Sequence, residues 1–174
     1  MKTKTDFLLA VMNVLAWIAF LGLCIKAGSI LISYGVSISN PVASKDLYMG
    51  LNLSAVRDYD FGHYTGSVLL MAFILIMEAY TAFLVTRALS KIKMANPFTS
   101  EVSKKLVKIS YIILFTWVAA LLYNGHSSWL SKRIPGFQEN LFSTDFIFLA
   151  GVVFVFAQIF RKGVEIQSEN ELTV

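Results

Sequence analysis

The stretch GSVLLMAFILIMEAYTAFLVT, Gly66–Thr86, decides the fold. It holds 21 residues and one charge, Glu78. At about 1.5 Å per residue, a helix of that length is roughly 31 Å long, which matches the hydrocarbon core of a bilayer. Three further apolar stretches accompany it. The first is Phe7–Ile25, which can run on through AGSILISYGVSI; the others are Ile109–Gly125 and Leu141–Phe160. Apolar residues make up 56% of the 174-residue chain and charged residues 15%, against about 25% charged in soluble domains. Mean hydropathy is +0.65. A soluble chain of this size could not bury that much apolar surface. These features predict a single integral membrane domain over residues 1–174, an all-α polytopic transmembrane four-helix bundle.

The basic residues set its orientation. If the N-terminus is cytoplasmic, the inner side carries Lys2, Lys4, Arg87, Lys91, Lys93, Lys104, Lys105, Lys108, Arg161 and Lys162, ten in all. The outer side carries Lys26, Lys45, Arg57, Lys132 and Arg133, five in all. The positive-inside rule then gives N-in, C-in, with a cytoplasmic tail at 161–174. The sequence pI near 9.2 is therefore read as topology, and no direct nucleic-acid partner is expected. Trp129 falls where an outer aromatic belt belongs. Lys26, near the outer end of span one, is expected to snorkel. The basic-then-apolar start resembles a secretory leader, but its 19-residue apolar run exceeds a leader's usual core of about 7–15, so a retained helix is expected.

Two segments interrupt the helical pattern. In the outer loop, Leu47, Met49, Leu51 and Leu53 alternate with period two, which suggests a short strand or hairpin in a small cap. On the inner side, Pro97 should end the second helix near Ala95. Thr99 or Ser100 can cap the third, with Glu101 in its first turn.

Few residues point to chemistry. A single cysteine, Cys24, rules out an intrachain disulfide. There is no phosphate loop, no GxSxG and no HExxH. Glu78, near mid-span, reads as a proton or cation site, or as a neutral acid hydrogen-bonded to Asn13, Thr116 or Tyr80. His63 and His126 both follow glycine at the outer surface. Two imidazoles from neighbouring helices can ligate haem. With Asp145, Asp58 and Asp60 they could make a zinc-like site. The plain alternative is surface histidines and a helix-capping Asp145, with no cofactor. The acidic ending, with Glu165, Glu169 and Glu171, is repelled by the inner leaflet and is expected to project into the cytoplasm.

Asn96-Pro97-Phe98 between spans two and three, LNLS at Leu51–Ser54, and the ending AQIFRKGVEIQSENELTV together resemble the bacterial membrane family called domain of unknown function 2975. The resemblance runs from about Phe7 to Val174. It implies a small four-span inner-membrane protein with no catalytic residues to carry over. It also implies a cytoplasmic partner, a small helix-turn-helix regulator. The expected function is thus a non-enzymatic sensor or docking protein, acting through Asn96, Pro97, Phe98 and the acidic tail. The alternatives are a small carrier or redox subunit using Glu78 or the histidines, and an accessory subunit of a larger membrane complex.

Overall fold

The computed structural model describes residues 4–92, 99–144 and 146–172, with backbone alone at 4–6, 146 and 170–172. It is all-α: α1 Lys4–Ser39, a 3₁₀ turn Pro41–Lys45, α2 Ser54–Tyr59, α3 Phe61–Leu89, α4 Ser100–Ser131 and α5 Phe146–Leu172. Four of these, α1, α3, α4 and α5, are long and apolar enough to cross a membrane. That is the make-up of a multi-pass membrane protein. None of the most apolar window of α1 is buried. Phe7, Leu8, Leu15 and Ile18 stand exposed, as lipid-facing residues do.

The chain forms two compact units. The first comprises Met1–Phe20, Ala79–Phe115 and Asp145–Val174. Its core joins Leu84 and Ala88 of α3, Ile109 and Ile113 of α4, and Ala150 of α5. Trp17, Phe20 and Phe83 cluster with ring centroids 5.6–6.3 Å apart. The start of α4 follows the sequence expectation. Thr99 Oγ1 accepts from the Val102 N–H at 3.3 Å, and Glu101 pairs with Lys105 and Lys91. Such a cap is worth about 1 kcal/mol. Helix α3 stops at Leu89, before Ala95. Asn96, Pro97 and Phe98 lie outside the described residues.

The second unit comprises Leu21–Glu78 and Thr116–Thr144. Here α1 buries Ala27, Ile30 and Ser37, in a core shared with Tyr64 and Val68 of α3. Ser37 Oγ donates to the Tyr34 carbonyl at 2.6 Å, so the buried Tyr64 hydroxyl donates to Ser37 at 2.7 Å. Tyr34 in turn meets Thr65 at 3.1 Å. Helices α1 and α3 therefore run antiparallel here, with residues 34–37 level with 64–65.

No strand forms among the described residues, so the alternating loop segment has another cause. Leu47 and Leu53 are buried in the same core as Val56, Tyr64 and Tyr123, and Leu51 packs against it. Met49, the fourth of the alternating residues, is 85% exposed. It sits with Gly50 at the tip of a turn, where φ is 48° and 86°. Two positive φ values mark the hairpin type of turn. Leu51 N–H closes it on the Tyr48 carbonyl at 3.0 Å, and Leu47 N–H bonds the Leu51 carbonyl at 2.8 Å. One more bond joins the flanks, from Leu53 N–H to the Ser44 carbonyl at 2.9 Å, without forming a strand. Asn52 takes the Ser54 N–H and starts α2, while Asn40 and Pro41 start the 3₁₀ turn on the other flank.

The expected fourth span began at Leu141, whereas α5 begins at Phe146. Residues 141–144 are held by α4 instead. The Asn124 amide both donates to the Phe142 carbonyl (2.8 Å) and accepts from its N–H (2.9 Å). Trp117 Nε1 donates to the Thr144 carbonyl at 3.0 Å. Just before this segment, hydrogen bonds from Ser131 and then Ser128 hold the Glu139 carboxyl below the usual glutamate range. A carboxyl lowered on folding adds stability above its unfolded range, and that stability is lost as pH falls through the folded value. Amide protection factors over residues 132–142, corrected for the intrinsic pH dependence of exchange, are therefore expected to fall on mild acidification. Glu139→Gln should flatten that dependence, and an unchanged acid response in the variant would count against the contact.

Candidate functional site

Helices α3 and α4 bring the two histidines together, 63 residues apart in sequence. His63 Nδ1 and His126 Nε2 are 3.1 Å apart. The other nitrogen of His126, Nδ1, lies 3.3 Å from Ser67 Oγ. One continuous chain thus runs Ser67, His126, His63. Asp60 Oδ1 takes the His63 backbone N–H at 2.7 Å and fixes the start of α3. Trp129 closes the cluster, 5.1 Å from the His63 ring and stacked on His126 at 6.3 Å. The Arg133 guanidinium sits 4.3 Å over Trp129. Tyr59 stacks on the far side of His63.

This geometry speaks to the cofactor expectation. Two imidazole nitrogens bound to opposite sides of one metal stand about 4 Å apart, since each metal–nitrogen bond is about 2.0 Å. At 3.1 Å, with a hydrogen bond between them, this pair is closer than two such opposite ligands and near the roughly 3.3 Å between two nitrogens on a tetrahedral ion. No group of three or more potential metal ligands exists among the described residues. Asp145 lies outside them. Ser67, one turn after His63 on the same helix face, is the member the sequence could have revealed, because residues four apart share a face.

Glu78 is half-buried on α3. Among the described residues it has no hydrogen bond or ion pair, and the charge that acts on it is Lys26. The Tyr80 hydroxyl instead takes a bond from Lys108 at 2.7 Å. Lys26 also differs from its sequence reading: α1 continues 13 residues past it, to Ser39, so it is not at a helix end.

The described part of the tail is helical. Helix α5 passes through Arg161 and Lys162 and continues to Leu172. Glu165 is held by Arg161 at 3.5 Å and Lys162 at 3.1 Å. Its charge is therefore compensated within its own helix. Glu169 follows one turn later, and Glu171 carries the backbone of the last turn. Beside them, in the first unit, a groove of about 460 Å³ lies between the start of α4 and this extension. Ser103, Lys104 and Val107 line one wall, and Arg161, Val164 and Glu165 the other.

Comparison with curated proteins and with solved structures found no match. The comparison with protein families found one, over residues 39–174, so that nearly all of α1 precedes the match while the loop, the histidine cluster, Glu78, the groove and the tail all fall inside it. On that match the chain belongs to the family described as Protein of unknown function (DUF2975).

Proposed function

We propose that this is a non-enzymatic, four-span protein of the bacterial inner membrane, with both termini cytoplasmic, that docks a soluble regulator on its inner face. One observation carries the reading: α5 does not stop at Arg161 and Lys162 but extends as a helix to Leu172. A helix that leaves the membrane intact is a preformed contact surface and loses little freedom on binding.

The chemistry of that surface narrows the partner. Lys104 has no ion pair among the described residues, whereas Glu165 is already compensated. Val107 and Val164 supply the apolar contact. The groove thus fits an amphipathic segment bearing a carboxylate. A small helix-turn-helix regulator is the partner the family resemblance points to, and it would dock through a face away from its basic DNA-binding surface. This replaces the simpler expectation that the tail's own carboxylates recruit a basic protein. The carrier and redox readings have less support, because Glu78 has a single cation near it and the histidine nitrogens bond each other.

The test is co-purification with the regulator from cells that make both. Deleting Gly163–Val174 is expected to leave the membrane-inserted protein at its normal level while recovery of the regulator falls at least about tenfold, equivalent to 1.4 kcal/mol or more. Lys104→Glu should do the same. Undiminished recovery by the truncated protein would refute the docking role.

A further inference from the structure

The second unit contains a separate cavity of about 360 Å³, remote in sequence from the tail. Lys26 and Ile30 of α1 and Met71 of α3 form its helical walls. The Tyr48–Leu51 turn and Asn140–Phe142 close it. We infer that this cavity holds the headgroup of an anionic phospholipid, with the phosphate on Lys26 and the upper acyl carbons against Leu141 and Phe142. The inference stands on this unit alone and does not depend on the docking reading.

The first argument is the position of Lys26. It lies inside α1, with 13 more helical residues, roughly 20 Å, between it and Ser39. Lys26 is exposed and lines the cavity. It has no hydrogen bond or ion pair among the described residues, and neither has the Asn140 amide that shares the wall. Glu78 attracts Lys26 but lies seven residues beyond Met71, two helical turns further along α3. An ammonium in an apolar helical setting is costly without an anion in contact. The contact position is therefore open for an anion from outside the chain.

The second argument is the make-up of the walls. Free phosphate is usually held by several donors, often a guanidinium fork. Here the side-chain donors are one ammonium, one amide and the Tyr48 hydroxyl, with no guanidinium, and the other side chains are apolar. Those walls suit a phosphate that arrives attached to hydrocarbon. A single uncompensated ammonium also favours a lipid of net negative charge, since a choline headgroup would bring a second cation next to it. Both helical walls belong to candidate membrane spans, as a lipid site requires.

The experiment uses the full chain in nanodiscs of phosphatidylcholine doped with phosphatidylglycerol. After exchange into phosphatidylcholine alone, lipid retained by the protein is counted by native mass spectrometry. Wild type is expected to keep phosphatidylglycerol, Lys26→Met to lose it about tenfold, and Lys26→Arg to keep it. Met71→Trp, which leaves the charge and fills the cavity, is expected to lose it as well. Retention by Met71→Trp or Lys26→Met at the wild-type level would overturn the assignment. So would equal retention of phosphatidylcholine, or full displacement by millimolar inorganic phosphate, which would identify the site as one for a free anion.

Discussion

Glu78→Lys is expected to cut the amount of folded, membrane-inserted protein by tenfold or more, while Glu78→Gln accumulates within about twofold of wild type. A basic residue at the centre of a span costs about 3 kcal/mol even on the gentlest insertion scales, and roughly 1.4 kcal/mol already corresponds to tenfold. The new ammonium would also face Lys26, the charge that now attracts Glu78. Attraction becomes repulsion at a half-buried position, where water screens poorly. The Gln variant separates two roles for the native acid. It keeps the shape and removes only the titratable proton. If Glu78 carried ions, Gln would insert normally yet abolish transport. With no hydrogen bond to lose among the described residues, Gln should pass unnoticed in a protein whose work is docking. The measurement is the yield of monodisperse protein in mild detergent for each variant. Equal yields from Glu78→Lys and wild type would mean that this position does not face the Lys26 side of the unit.

Hydropathy made four spans legible, because a bilayer demands about 20 apolar residues per crossing whatever the function. Local capping was legible too: Thr99 sits before an apolar run with Glu101 behind it, and it caps α4. The failures share one origin, which is burial against protein rather than lipid. After Ile25 the chain becomes richer in Gly, Ser and Tyr, so the sequence left the end of the first span open, at Ile25 or on through AGSILISYGVSI. Helix α1 continues because Ala27, Ile30, Tyr34 and Ser37 pack on α3. The alternation of Leu47, Leu51 and Leu53 reported real burial, but a tight turn at Met49 and Gly50 produces it and not a strand. Arg161 and Lys162 read as a stop because they mark where the bilayer should end. They say nothing about where the helix ends, and Glu165, Gln167, Glu169, Glu171 and Leu172, which follow, are good helix formers. The histidine contact was beyond sequence spacing altogether, since it joins two helices 63 residues apart.

The sidedness of the α5 extension is where the whole account is most exposed. Docking of a soluble regulator requires that residues 163–172 lie on the cytoplasmic side, and that the loop carrying Glu139 lie on the other. The ten-to-five distribution of basic residues supports this orientation. The effect to be measured is all-or-none, because a charged reagent either reaches a site or does not. Cys24, the one natural cysteine, is first replaced by alanine. Single cysteines are then introduced as Gln138→Cys in the outer loop and Ile166→Cys on the extension, the latter at a position 49% exposed. Spheroplasts are treated with a membrane-impermeant maleimide before and after permeabilisation. The account predicts that the Gln138→Cys protein is labelled at once and the Ile166→Cys protein only after permeabilisation. Labelling of Ile166→Cys on intact spheroplasts would contradict it.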